Sequence, residues 1–75
     1  MSLEDELESE TTKWLEKLKT VEMDGDRAFV ENIKAYISDA GHFLKNRDMI
    51  RAFEAVIWAW AWYEIGKDIG KIKGK

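Results

Sequence analysis

Apolar residues recur at helical spacing in three stretches of this chain. Leu7, Trp14, Leu18 and Val21 follow one another at intervals of seven, four and three, with Thr11 filling the remaining seam position and Leu15 widening the stripe. This pattern predicts a first helix over about residues 3–22. Ser2 with Asp5 three residues on makes a capping-box pattern at its start. Met23-Asp24-Gly25-Asp26 breaks the period, because Gly25 can take a positive φ as a C-terminal cap and Asp24 or Asp26 can cap the next helix.

Phe29, Ile33, Tyr36, Ala40 and Phe43 repeat at four, three, four and three, with Val30, Ile37 and Leu44 in a second row. A second helix over about 27–45 follows, its apolar face wide enough for two neighbours. The short polar connection Lys45-Asn46-Arg47-Asp48 sends the next helix back antiparallel, with Asp48 as its N-cap.

The third helix, predicted over about 49–72, contains the stretch Ala52–Tyr63, apolar except for Glu54, which holds three of the four tryptophans. Trp58-Ala59-Trp60-Ala61-Trp62 alternates large and small, which taken alone reads as a strand. Helix-favouring Glu and Ala at the flanks, no bounding Gly or Pro, and no second strand to pair with decide for helix. Wound at 100° per residue, the segment carries two stripes. Met49, Phe53, Val56, Trp60 and Tyr63 form one; Ala55, Trp58, Trp62, Ile65, Ile69 and Ile72 form the other.

These elements predict an all-α fold: one domain over residues 1–75, a three-helix up-down-up bundle with a long, aromatic-rich third helix. The first stripe faces the bundle's own core. The second exceeds what two short helices can cover, and Ile57, Trp58, Ala61, Trp62 and Ile65 are expected to meet a second copy of the chain in a homodimer.

Tyr36, Asp39-Ala40, Phe43-Leu44, Asp48, Ala52-Phe53, Ala59 and Trp62 through Gly66 together resemble a small archaeal family of helical proteins catalogued as a domain of unknown function. The resemblance spans the second and third helices. It implies a three-helix bundle and a cytoplasmic archaeal setting, and supplies no functional residues. Asn46-Arg47 stands where that family commonly has a glycine in the turn.

Composition narrows the function. At 75 residues the chain sits near the lower limit for a self-sufficient core, which makes oligomerisation a route to stability. The absence of cysteine excludes disulfides and thiolate chemistry and fits a reducing cytoplasm. Glu4, Asp5, Glu6 and Glu8 stand where a secretory signal would be basic and then apolar, and the apolar run Ala55–Tyr63 is too short to span a membrane. The net charge of −3 divides unevenly: residues 1–26 hold nine acids against three lysines, and residues 27–75 hold six acids against nine bases. Acid at the start of a first helix and base at the end of a last one suits the helix macrodipole.

Each chemical candidate has a plainer reading. His42, the only histidine, follows Asp39 by three residues, so the two could act as base and orienting acid or as metal ligands. No further ligand stands at the required spacing, and a surface or turn-capping histidine is the better reading. The acids of Glu4–Glu10 and of Asp24 with Asp26 depart from the calcium-loop pattern and read as solvated helix ends. The tail from Gly66 to Lys75 holds four lysines and is the one candidate for nucleic-acid binding, against the sign of the net charge. The tryptophans could line a small-molecule pocket, though aromatics at helical spacing more often pack cores and interfaces. No metal, cofactor or catalytic set is expected. The sequence reads as a non-enzymatic, self-associating interaction module, with weak nucleic-acid association through the basic C-terminal turn as the alternative.

Overall fold

The computed structural model describes residues 2–74. Its elements in chain order are α1 (Leu3–Lys19), β1 (Met23–Gly25), α2 (Arg27–Lys45), α3 (Met49–Asp68) and β2 (Ile72–Gly74). Three helices form the expected bundle, with α3 as the central element against which both others pack. Among the described residues no helix is long and apolar enough to cross a membrane.

The helix starts follow the polar residues ahead of them. Ser2 accepts from the Asp5 amide at 3.1 Å while the Asp5 carboxylate reaches back to the Ser2 amide, closing a capping box. Asp26 accepts from the Phe29 amide at 3.1 Å and Asp48 from the Arg51 amide at 3.2 Å, so α2 and α3 each begin on an aspartate.

Two helix ends differ from the periodicity reading. α1 stops at Lys19 instead of residue 22, with Thr20 as its C-cap. α3 stops at Asp68 instead of residue 72. Gly70, at φ 77°, turns the chain, and the Gly70 and Lys71 amides donate to the Lys67 and Gly66 carbonyls at 3.2 and 2.7 Å. That pair of bonds is a Schellman motif, which satisfies the last carbonyls of α3 and reverses the chain.

The residues released from both helices pair with each other. Met23, Asp24 and Gly25 lie opposite Gly74, Lys73 and Ile72 in a short antiparallel ladder. The Asp26 amide extends it, donating to the Lys71 carbonyl at 2.7 Å. Gly25 does have a positive φ, 153°, but as a strand residue and not as the cap of α1. A side chain there would overlap the Lys71 carbonyl.

The core forms two clusters. Leu18, Ile33, Ala59, Tyr63 and Ile72 pack near the strand end, and Leu15, Ala40, Ala55 and Val56 pack further along. Ile72 therefore belongs to the core, reached by the reversal at Gly70 and not by continuing the outer stripe of α3. The way α3 distributes its tryptophans explains the large–small alternation. Ala52, Ala55 and Ala59 face inward and are buried, which lets α2 and α3 approach closely. Ala55 is thus a core residue and not part of the outer stripe. The indoles that could not fit at this close approach fan outward: Trp60 toward α1, Trp62 toward α2, Trp58 into solvent.

Candidate functional site on the third helix

The outer side of α3 carries most of the large apolar side chains that the fold leaves open. Ile57 is 49% exposed, Trp58 51% and Ile65 42%, with Ala61 half-buried among them at helical spacing. Ile50 and Ile69 continue this surface toward the two ends of the helix. Trp62 stands at its margin, half-buried and edge-on to Phe29 with ring centroids 5.7 Å apart. Of the five residues read from the sequence as an interface, Ile57, Trp58, Ala61 and Ile65 share the open row, and Trp62 also closes the α2–α3 seam. Glu54, Glu64 and Asp68 are interleaved, and Arg51 pairs with Asp48 at 3.2 Å.

Beside this row lies a cleft of about 330 Å³ between α1 and α3, whose walls include Trp14, Phe53, Val56 and Trp60. Ile57 lines it too and joins it to the outer row. Trp14 and Trp60 meet edge to face, with centroids 5.8 Å apart at 89°. The Trp60 indole N–H donates to the Trp14 carbonyl at 3.1 Å, and the Trp14 N–H donates to the Glu10 carboxylate at 3.1 Å. Lys17 Nζ stands 4.4 Å from the Trp14 ring centroid. Thr11 lies at the floor of the cleft, fully buried, and its hydroxyl has no hydrogen-bond partner. The sequence put Thr11 and Trp14 in one seam. It could not show that Trp14 stays 39% exposed, leaving a hollow.

The remaining candidates take structural roles. His42 is exposed, and its Nε2 lies 3.1 Å from the Asn46 side-chain amide, which donates to it one turn on. Among the described residues no group of three or more potential metal ligands gathers. Glu4 and Glu8 hold Arg47, whose guanidinium nitrogens lie 3.3 Å and 2.7 Å from their carboxylates. Arg47 has φ 61°, so it occupies the left-handed position that ends α2, a position glycine most often fills. The Glu8 hydrogen bond, chiefly, raises the Arg47 pKa above its ordinary value. In the basic tail, Lys67 Nζ stands 5.0 Å from the Tyr63 ring centroid, and the Lys71 backbone ties the strands to α2. Lys75 lies outside the described residues.

The crystal structure of protein AF1782 from Archaeoglobus fulgidus, assigned to the DUF357 family, is similar to 99% of this chain and 100% of that chain, at 52% sequence identity and a TM-score of 0.88. No curated protein matches the chain. The fold thus has a counterpart over its whole length in an archaeal protein. With residues 3–72 matched by the family described as "Protein of unknown function (DUF357)", the chain belongs to DUF357.

Proposed function

We propose that this chain is a non-enzymatic helical interaction module that pairs with a second copy of itself through the outer face of α3. The observation that carries this reading is the open row of Ile57, Trp58, Ala61 and Ile65 on a helix whose inner face already has a closed core. An exposed apolar row with a tryptophan and two isoleucines at its centre has the anchor residues of an interface.

A two-fold antiparallel pairing matches a large side chain to a small one at its centre. If the axis passes between Trp58 and Ala61, each Trp58 lies on the partner's Ala61, a large side chain against a small one. The same register brings the Ile50–Arg51 end of one helix to the level of the partner's Asp68–Ile69 end and sets Glu54 beside the partner's Ile65. The two ends of the row then meet each other across one isologous patch.

Trp58→Glu tests the reading. It places a charge at the centre of the seam, where burial without a partner is costly. In the single chain the same position is 51% exposed, so the helices are expected to survive. Size-exclusion chromatography should show the variant at monomer volume with unchanged helical circular dichroism. A variant that elutes with the wild type at matched concentration would overturn the proposal.

A further inference from the structure

We infer that the hollow between α2 and α3 beside Trp58 is a binding site for a small organic cation, an alkylated ammonium group held by aromatic rings and two carboxylates. Tyr36, Asp39 and Phe43 stand on α2 at i, i+3 and i+7, and Arg51, Glu54 and Trp58 repeat that spacing on α3. All six line one hollow of about 190 Å³, and the short, buried Ala55 among them leaves the space. Because the helices run antiparallel, Tyr36 comes to the Trp58 end and Phe43 to the Arg51 end, with Asp39 and Glu54 between. The inference does not rest on self-association, although Trp58 belongs to both surfaces.

The charges and rings of the hollow define the ligand. Asp39 and Glu54 are exposed, and among the described residues neither pairs with a cation. Arg51, the one cation of the lining, is engaged by Asp48 at 3.2 Å, so the hollow keeps an excess of negative charge. Carboxylates alone would attract any cation. The three rings beside them favour one that is weakly hydrated and carries its charge on alkyl groups, because a ring face attracts such a charge and covers apolar surface at the same time. Tyr36 and Phe43 are half-buried and Trp58 is 51% exposed, so ring surface remains open to it. A hollow of about 190 Å³ is smaller than the about 300–1,000 Å³ of sites that enclose a drug-sized molecule, and so it takes a single head group.

The test uses choline and its neutral isostere 3,3-dimethylbutan-1-ol, which differ by one positive charge, with sodium chloride at equal ionic strength as a third probe. Each is titrated into the ¹⁵N-labelled Ile65→Glu or Ile57→Glu variant, whichever retains helical circular dichroism. Either variant keeps Trp58 and puts a charge in the outer row, which separates self-association from binding in the hollow. The Trp58 indole resonance should shift saturably with choline while those of Trp14 and Trp60 stay in place. The neutral alcohol should bind about tenfold more weakly. In the same background Asp39→Asn and Glu54→Gln should each weaken choline binding about threefold, and Arg51→Gln should strengthen it by a similar factor. Trp58→Leu, followed on the backbone amides of Asp39 and Glu54, should lose most of the preference for choline over the alcohol. Absence of a Trp58 shift up to about 50 mM choline, an equal response to the alcohol or to sodium chloride, or choline binding unmoved by the three charge variants would overturn the inference.

Discussion

Ile69 and Ile72 lie three residues apart, and a continuous third helix would give them the same environment. The structure gives them opposite ones: Ile69 is 59% exposed at the end of α3, and Ile72 is 3% exposed in the core. Truncating a fully buried isoleucine to alanine costs about 2–5 kcal/mol, from the lost transfer energy and the cavity left behind. A chain of this length has a total stability of about 4–11 kcal/mol, so Ile72→Ala should remove a large part of it. Ile69→Ala, at an exposed site, should stay within about 0.5 kcal/mol of the parent. Urea unfolding followed by circular dichroism at a single protein concentration measures both. With a slope of about 1 kcal/mol/M, a loss of about 3 kcal/mol lowers the Ile72→Ala midpoint by about 3 M, while the Ile69→Ala midpoint scarcely moves. Equal midpoints for the two variants would refute the docking of β2 and restore a helix running to residue 72.

Other variants separate competing effects in the same assay. At Gly66 a Cβ would stand 2.5 Å from Ile72 Cγ1 and 3.1 Å from Phe29 Cδ1, so overpacking of about 1–3 kcal/mol should outweigh the propensity gain of Gly66→Ala. Gly41→Ala meets nothing within 4 Å and should raise stability by about 1 kcal/mol, the helix-propensity difference alone. At Arg47, replacement by alanine removes the ion pairs and keeps a side chain at φ 61°, whereas glycine also relieves the backbone; Arg47→Gly should unfold at higher urea than Arg47→Ala. The raised Arg47 pKa stabilises the fold below the ordinary arginine range and is lost only above it, so added salt, and not titration across about pH 5–9, should weaken this contact. Deleting Lys71–Lys75 removes Ile72 and the Lys71 backbone bonds, and should lower the unfolding midpoint at least as far as Ile72→Ala does.

The parts of the fold carried by local pattern were legible in the sequence. Ser2, Asp26 and Asp48 mark the three helix starts, and the seam residues Leu15, Leu18, Ile33, Ala40, Val56 and Tyr63 are buried. What was not legible depends on contacts between distant segments. Ile65, Ile69 and Ile72 keep helical spacing, and only the Gly70 cap, with Met23–Gly25 waiting as a strand partner, takes Ile72 off the helix. Gly70 is itself a stop signal of the kind found just past a helix end, outweighed in the sequence by the periodic isoleucines around it. The outer row was visible because three tryptophans cannot all face one close-packed seam. The cleft was not, because an open hollow beside Trp14 is set by how α1 lies on α3 and leaves no periodic trace.

Self-association through the outer face of α3 is tested most directly by sedimentation equilibrium of the unmodified chain across a concentration series. A mass rising to twice that of the chain by low-micromolar concentration, and stopping there, is the predicted result. A mass that stays at one chain throughout would contradict it.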